Sequence, residues 1–332
     1  MCIVLLSTAH PEYPLILLDN RDEYLNRPTA PAAFWEAPNS HVLGGYDLLR
    51  AEHGTWLGVT RQGRIAVLTN FREEEADGST KASGPRSRGA MVNAWLKLPP
   101  NSQETTETFV RRLFDEGEGV RGVGGFSLLC GQLKRTEGGG VGPFAIVSNR
   151  TPDPEAIPWI GGSRDEVHGL SNTLYGDPWP KVKLGEELLR NAVVESVREN
   201  ENKDLLLERL FSILTVDSMP KMREGSVQTY TSHMSKSIFI PAVGGGSANT
   251  SSAEQLAASQ VEGQAHVVDG TTTDGKDSMS PLYGTQKQTV ILMDKQGAVT
   301  FIERTLYDQS QHPVPVKDRD ARFDFEVERI GQ

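Results

Sequence analysis

The fold is decided at the N-terminus, where residues 1–23 read MCIVLLSTAHPEYPLILLDNRDE. Two apolar runs, residues 2–8 and 15–20, flank a short polar segment that contains two prolines. Apolar runs of this length, bounded by turn-forming residues, predict β-strands. In an antiparallel hairpin the end of the second strand lies near the start of the first. The sequence therefore predicts that Cys2 lies close to the polar string Asn20-Arg21-Asp22-Glu23.

Cys2 is predicted to be a nucleophile that carries its own base. Methionine aminopeptidases act when the second residue is small, and removal of Met1 would leave a thiol and a free α-amine on one residue. A terminal amine has a pKa of about 7.7–8.0 and a thiol one of about 8.5, so that either group can hold a transferred proton near neutrality. The alternative is that Cys2 is a chance residue at the start of a strand.

Composition limits the classes of function. The chain has 332 residues and a formal net charge of −10, with a pI of about 5.3, which opposes general affinity for nucleic acid or anionic membranes. It contains no run of about eighteen apolar residues, so no membrane-spanning helix is predicted. The N-terminus lacks the basic segment of a secretory signal. The two cysteines cannot form a disulfide framework and fit a reducing compartment.

The order of predicted elements indicates an α+β fold. Strand patterns occupy residues 56–59, 64–70, 126–130, 144–148, 289–294 and 299–304. Helical patterns begin near Ser87 and cover residues 104–114, 181–197 and 203–214. Blocks of strands and helices, rather than regular alternation, predict a layered α+β domain that spans residues 1–332. Residues 242–278 are rich in Gly, Ser, Thr, Ala and Gln and predict a disordered surface insertion, with a weak helical pattern at 253–261 as the alternative.

The polar string after the second strand offers the first candidate site residues. Along an extended strand Asn20 and Asp22 share one face, while Arg21 and Glu23 share the other. Asn20 or Asp22 could then orient the amine of Cys2 through a charge-assisted hydrogen bond. The alternative is a turn capped by Asn and Asp, with an Arg-Glu surface pair of little energetic value.

Two asparagines and a tryptophan are further candidates. Asn70 ends a predicted strand and Asn172 follows Gly169-Leu170-Ser171, and side-chain amides at such positions can stabilise an oxyanion. Asparagine is equally a turn former. Trp56 is predicted to lie beside the site or, alternatively, in the core. The histidines are scattered and no pair has the spacing of metal ligands, so no metal site is predicted.

Several short motifs, taken together, resemble the NRDE family, which is the transport-and-Golgi-organisation family. They run in the same order from residue 1 to about residue 305, and they are Met1-Cys2-Ile3, Asn20-Arg21-Asp22-Glu23, Arg27-Pro28, Gly54-Thr55-Trp56-Leu57-Gly58, Leu68-Thr69-Asn70-Phe71, Ser87-Arg88-Gly89, Ser148-Asn149-Arg150, Gly169-Leu170-Ser171-Asn172, Pro178-Trp179-Pro180-Lys181, Tyr283-Gly284-Thr285 and Phe301-Ile302-Glu303-Arg304. The resemblance implies a four-layer αββα sandwich of the N-terminal nucleophile hydrolase type. More distantly, the pattern is similar to bile-salt hydrolases, penicillin V acylases and acid ceramidases, which cleave linear amides.

The resemblance also implies roles for particular residues. The implied catalytic residues are Cys2, Asp22, Asn70, Asn172 and Arg21. The implied substrate-binding residues are Asn20, Glu23, Trp56, Tyr283 and Thr285. Arg21 matches less well because the distant enzymes separate this arginine from the aspartate. Gln286 and Lys287 stand where relatives commonly carry Arg and Ser, so a contact at the edge of the pocket is expected to differ.

Two functions from different classes follow as hypotheses. The first is a cysteine amidohydrolase that acts on a small or lipid-like amide and needs no cofactor. The second is a haem- or lipid-binding trafficking protein on the same fold, with Cys2 as a soft ligand to haem iron. A structural partner in secretion is a third reading. The two cysteines and the lack of a signal or membrane span predict a cytosolic or organellar protein, with the cytoplasm as the predicted location. The family's roles in Golgi organisation, secretion, lipid and mitochondrial metabolism and haem movement imply association with the Golgi or with mitochondria.

Overall fold

The computed structural model describes residues 1–71, 87–115, 120, 122–134, 141–151, 153–220, 227–244 and 282–328. The strands are β1 (Ile3–Ser7), β2 (Leu15–Tyr24), β3 (Thr29–Phe34), β4 (Val42–Asp47), β5 (Leu57–Thr60), β6 (Arg64–Asn70), β7 (Phe126–Gln132), β8 (Phe144–Ser148), β9 (Trp159–Ile160), β10 (Val167–Leu170), β11 (Tyr283–Met293), β12 (Ala298–Thr305) and β13 (Asp320–Glu326). The helices are α1 (Gly89–Leu96), α2 (Thr106–Asp115), α3 (Pro180–Glu199), α4 (Lys203–Leu214) and α5 (Val227–Met234).

The first sheet contains the N-terminal hairpin and has the order β10-β1-β2-β11-β12-β13, with antiparallel pairing throughout. Strands β1 and β2 pair with Ile3 opposite Asn20. The predicted hairpin is therefore confirmed, and its register brings Cys2 beside the polar string at the end of β2. Strand β2 also runs further than predicted, because β11 continues to pair with it as far as Tyr24.

The second sheet has the order β3-β4-β5-β6-β7-β8-β9 and is also antiparallel. The predicted turn between β5 and β6 is present, with Gly63 in the left-handed region at a φ of +79°. Strands β3 and β4 were not predicted. β4 contains Gly44 and Gly45, which weaken the apolar alternation that marks a strand.

Three apolar clusters hold these elements together. The first joins inward-facing residues of both sheets, such as Leu6 and Leu17 from the first and Val59 and Val67 from the second. The second cluster joins the first sheet to α3 and α4, and the third joins the second sheet to α1 and α2. Each sheet therefore packs against the other on one face and against helices on the opposite face.

The first turn of helix α3 is held beside the first sheet. Pro180 occupies the first helical turn, where its missing N–H costs nothing and its fixed φ suits the helix. The next residue, Lys181, has a fully buried side chain, and its backbone N–H donates to the carbonyl of Ser235. Packing of Val182 and Leu189 against the first sheet fixes this end of the helix beside β1.

The predicted insertion lies mostly outside the described residues. Of residues 242–278 the structure describes only 242–244, where Val243 pairs with Tyr283 through two backbone hydrogen bonds of 2.8 and 2.9 Å. The weak helical pattern at 253–261 falls entirely outside the described ranges. Within those ranges, no helix is both long enough and apolar enough to cross a membrane.

Candidate active site

Cys2 lies at the edge of a cleft, directly before β1. Its side chain is 8% exposed, and its backbone carbonyl accepts a hydrogen bond of 2.7 Å from the hydroxyl of Ser171. The sulfur lies 3.9 Å from the backbone carbonyl oxygen of Asp22. Burial raises the pKa of the Cys2 thiol. The thiol therefore needs a nearby base before it can act as a nucleophile at neutral pH.

The Asp22 carboxylate faces two groups that can carry a positive charge. One oxygen, Oδ1, accepts a 2.7 Å hydrogen bond from the hydroxyl of Thr285. The other, Oδ2, lies 3.6 Å from the amine of Met1 and 3.8 Å from Nζ of Lys181. The side chains of Asp22 and Lys181 are both 0% exposed, so solvent screens this arrangement little. One carboxylate thus balances both the amine and the lysine.

Lys181 is a site residue that the sequence analysis did not select. Its Nζ donates to the backbone carbonyl of Met1 at 2.5 Å, in addition to facing Asp22. Burial lowers the pKa of Lys181. A lysine in the first turn of an amphipathic helix normally points into solvent, and the only available signal was its place in the Pro178-Trp179-Pro180-Lys181 motif.

The amine at the site belongs to Met1 in this chain. It donates to the backbone carbonyl of Asp22 at 3.2 Å and contacts the hydroxyl of Tyr283. The Tyr283 hydroxyl in turn donates to the same Asp22 carbonyl at 3.1 Å. Burial lowers the pKa of the amine, which favours its neutral form. Loss of Met1 would place a new α-amine on Cys2, one residue further along the same buried segment.

Asn70 and Asn172 are brought together beside the cleft. Asn70 ends β6 and lines the cleft with Cys2. The side-chain amide of Asn172 donates to the backbone carbonyl of Asn70 at 2.5 Å, and its Oδ1 accepts from the hydroxyl of Ser171 at 3.2 Å. Asn172 therefore positions Asn70, and one of its two amide hydrogens is already engaged.

Arg21 lies over the ring of Trp56 in the wall of the cleft. It is 5% exposed, and its guanidinium carbon lies 4.6 Å from the centre of the indole ring. It donates to the side-chain oxygen of Gln286, whose Nε2 donates to the Leu25 carbonyl at 3.1 Å. Gln286 therefore holds Arg21 in place.

The five predicted substrate-binding residues divide into two groups. Glu23 and Trp56 line the cleft. Thr285 and Tyr283 contact Asp22 and are not among the residues that line it. Asn20 does not reach the cleft, because its Nδ2 donates to the carbonyls of Leu214 and Ile238, both at 2.9 Å. The structure therefore replaces the predicted substrate contact of Asn20 with an anchor between β2 and the end of α4.

The cleft beside Cys2 has a volume of about 110 Å³ and mostly polar walls. Its lining residues are Cys2, Arg21, Asp22, Glu23, Arg27, Asp47, Arg50, Gly54, Thr55, Trp56, Leu68, Asn70, Ser87, Arg88 and Gly89. Two of the acidic residues are paired within the wall, since Nε of Arg27 lies 2.8 Å from Asp47 and its Nη1 lies 3.7 Å from Glu23.

Comparison with known proteins identifies relatives along nearly the whole chain. The family described as "Transport and Golgi organisation 2" matches residues 1–308. A human "Transport and Golgi organization protein 2 homolog" is 28% identical, with 93% of this chain and 94% of the relative covered. The mouse homolog is also 28% identical over the same shares. An uncharacterized protein of Saccharomyces cerevisiae is 26% identical and is covered completely, together with 98% of this chain.

Two solved structures show remote likeness. One is a Caenorhabditis elegans ortholog of an N-acylethanolamine-hydrolyzing acid amidase, with a TM-score of 0.34 and 11% identity over 65% of this chain and 87% of that one. The other is the C2A mutant of a conjugated bile acid hydrolase from Clostridium perfringens, with a TM-score of 0.33 and 10% identity over 99% and 98% of the two chains. At these scores, neither likeness defines the fold or the activity of this chain.

Proposed function

The chain belongs to the transport and Golgi organisation 2 family, and from this premise we propose that it is a cysteine amidohydrolase of the N-terminal nucleophile type. The observation that carries the proposal is the Asp22 carboxylate, which lies 3.6 Å from the N-terminal amine and 3.8 Å from Nζ of Lys181, while the backbone carbonyl of the same residue lies 3.9 Å from the sulfur of Cys2. The proposed fold is the four-layer αββα sandwich, which the three apolar clusters between sheets and helices support.

The proposed reaction begins after Met1 is removed. The α-amine of Cys2 accepts the proton of the thiol, and the sulfur attacks the carbonyl carbon of the substrate amide. The amine then gives this proton to the leaving nitrogen as the C–N bond breaks, which leaves a thioester on Cys2. Water adds to the thioester carbonyl, the sulfur leaves and regains a proton, and the carboxylic acid is released. Asn70 and the second amide hydrogen of Asn172 are the proposed donors to the oxyanion.

Lys181 has a proposed role in keeping the amine basic. A base must be neutral before it can accept the thiol proton, yet a carboxylate nearby favours the charged amine. Because Lys181 also faces Asp22, at 3.8 Å, it supplies the positive charge that the carboxylate requires. The amine can then stay neutral, which agrees with the lowering of the amine pKa by burial and by the positive charge of Lys181.

The dimensions of the cleft favour a small substrate. Pockets that enclose drug-sized ligands have volumes of about 300–1,000 Å³, whereas this cleft has about 110 Å³. A small amide therefore fits better than a haem or a long lipid chain. Within the described ranges, no group of three or more His, Cys, Asp or Glu side chains is placed to hold a metal ion. No observation favours haem or lipid trafficking over amide cleavage, and association with the Golgi or mitochondria stays a prediction.

The proposal is tested by intact-protein mass spectrometry before and after reaction with a small acylating electrophile. Cys130 provides a matched control, since it is the second cysteine of the chain and is 0% exposed. We expect a mass that lacks Met1 and a single added label, which is lost in Cys2→Ala and retained in Cys130→Ala. Retention of Met1, or equal labelling of both cysteines, would refute self-activated catalysis.

A further inference from the structure

We propose that Arg21 and Arg88 form an anion subsite beside Cys2, and that the amide cleaved there carries a carboxylate. This inference rests on the proposed hydrolase function, because it names the substrate class of the same site. Both arginines line the cleft into which Cys2 opens. An anion held by them would lie within a few bonds of the amide that the thiol attacks, as in an N-acyl amino acid.

The two arginines lack a carboxylate partner among the described residues. Arg21 is 5% exposed, yet its contacts are the neutral side chains of Gln286 and Trp56. No described acidic side chain lies within the 4 Å of an ion pair to Arg21 or Arg88. A buried charge without a counter-ion is costly, so a ligand anion in the cleft would be strongly favoured.

The nearby acids have other partners. Asp47 and Glu23 both face Arg27, and Asp22 faces Lys181 and the N-terminal amine. Glu23 is the acid with the largest electrostatic effect on Arg88, but at 3.7 Å it is the ion-pair partner of Arg27. Burial raises the pKa of Asp19, next to Arg21 on β2, well above its usual value and so favours the neutral carboxyl. Counting only the residues that the structure describes, the wall therefore retains an excess of positive charge at Arg21 and Arg88.

The position of Arg88 is fixed by two glycines. A Cβ atom on Gly54 would come within 2.9 Å of the Cα of Gly89, and one on Gly89 would come within 2.8 Å of Gly54. Only residues without side chains permit this contact, which holds the start of α1 against the segment before β5. The motifs around Gly54 and Gly89 thereby bring Arg88 to the cleft.

The start of α1 reinforces the positive potential. Ser87, Arg88 and Gly89 at this end of the helix all line the cleft, and the first turn contains no acidic residue. A helix N-terminus carries a partial positive charge from its free N–H groups. Guanidinium groups bind carboxylates through paired hydrogen bonds, and phosphates share this chemistry. The small volume of the cleft, about 110 Å³, favours the more compact carboxylate.

The test compares two haloacetyl probes that differ only in charge, bromoacetyl-glycine and bromoacetyl-glycinamide. We expect the acid to label Cys2 at least tenfold faster than the neutral amide at pH 7. This ratio should fall towards 1 in Arg88→Gln and in Arg21→Gln, and should largely persist in Arg88→Lys, which keeps the charge. Arg198→Gln is the matched control, because Arg198 is exposed on α3, and its ratio should equal that of the unaltered chain.

The possible outcomes distinguish a failure of the anion subsite from a failure of the proposed hydrolase function. Failure of the neutral probe to label Cys2 would contradict the activated nucleophile itself. Labelling of Cys2 at equal rates by both probes, or an unchanged ratio in Arg88→Gln, would overturn the subsite alone. In a competition arm, N-acetylglycine should slow labelling more than equimolar inorganic phosphate does. The reverse order would overturn the assignment of a carboxylate in favour of a phosphate.

Discussion

Cys2, directly before β1, and Cys130, within β7, are both buried cysteines, but their surroundings differ. Cys130 lies in the middle of β7, opposite Ala66 and Ala145 of the adjacent strands, within the third apolar cluster. Cys2 lies at the end of a strand, near an amine, a carboxylate and a lysine, at the edge of a cleft. Burial raises the pKa of both thiols. A cysteine that is only buried, such as Cys130, is therefore expected to be unreactive. Cys2 differs because it has charged neighbours and lines a cleft.

The largest expected effect comes from Asp22, the group that balances the charges around Cys2. Asp22→Asn keeps the size of the side chain and a partner for Thr285 but removes the negative charge. The buried lysine and amine then lose their counter-ion, which costs on the order of 3–5 kcal/mol. We expect the free energy of unfolding, measured by urea denaturation, to fall by about this amount, together with loss of Cys2 labelling.

Glu23→Gln is the matched control for Asp22→Asn. Glu23 follows Asp22 on β2, but its side chain is 19% exposed and its ion pair with Arg27 spans 3.7 Å. Partly exposed pairs of this kind contribute less than about 1 kcal/mol. If both substitutions cost the same stability, the buried charge balance at Asp22 is not the feature that matters.

Asp19 is a buried acid whose replacement should raise the free energy of unfolding, whereas the replacement of Asp22 should lower it. Burial raises the pKa of Asp19 well above the usual value, and its Oδ2 has no hydrogen-bond partner. Because the pKa of Asp19 is higher in the folded than in the unfolded chain, its contribution to stability is fully present below the unfolded pKa. That contribution is lost as the pH rises through the folded pKa. We expect Asp19→Asn to be more stable than the unaltered chain at pH 7, by about 1.4 kcal/mol for each pH unit that separates the unfolded pKa from the folded pKa. The gain should vanish near pH 4, and a gain that does not change with pH would contradict this account.

Lys181→Met should move the pH dependence of Cys2 labelling in the Met1-free chain. The groups that face the amine are Asp22 and Glu23 of β2, Tyr283 of β11, Cys2 and Lys181. The positive charge of Lys181 lowers the pKa of the Met1 amine, and we expect the same effect on the Cys2 amine that replaces it, so that removal of Lys181 keeps this amine charged to higher pH. The rising limb of the rate profile, measured from pH 5 to 10, should therefore move to higher pH.

The control for this experiment is Lys181→Arg, which keeps the charge and should keep the profile close to that of the unaltered chain. A purely structural lysine would lower the labelling rate at every pH without moving the limb. That result would remove Lys181 from the proposed proton path.

A small effect on stability, and none on the labelling of Cys2, is expected at Cys130. Cys130→Ala removes one sulfur from the third cluster, where the residue is 0% exposed. The loss of transfer free energy and the cavity left by one heavy atom together amount to about 1 kcal/mol. We expect this loss in the free energy of unfolding and no change in the rate at which Cys2 is labelled. A changed rate would show that the two regions are coupled and that the contrast between them is incomplete.

Local pattern was sufficient to predict the hairpin and much of the rest of the fold. The apolar runs of β1 and β2 fixed the contact of Cys2 with the string at residues 20–23, as the pairing of Ile3 with Asn20 shows. The alternation of side chains along an extended strand also predicts that Asn20 and Arg21 lie on opposite faces of β2. Alternation does not tell which face of β2 meets the helices, so the hydrogen bonds of Asn20 to the carbonyls of Leu214 and Ile238 could not be predicted. Strand β13 escaped prediction because its alternation is polar and partly exposed along an edge.

The part of the site that could not be predicted depends on distant packing. Lys181 meets Asp22 only because α3 folds back on β1 and β10, which no local periodicity records. Asn172 follows β10, whose pairing with β1 is a long-range contact, so the hydrogen bond from its amide to the Asn70 carbonyl could not be predicted from local sequence. The close contact between Gly54 and Gly89, which lie on separate segments, positions Arg88 at the cleft.

The most direct test of the contrast between the cysteines is the labelling rate of Cys2 with and without Met1. The Met1-free chain and the same chain prepared under inhibition of methionine aminopeptidase are compared at pH 7, with Cys130→Ala in both. The account predicts a rate at least tenfold higher for the Met1-free chain, because only there does Cys2 carry a free amine. Equal rates in the two chains would contradict the claim that the amine of Cys2 activates its thiol.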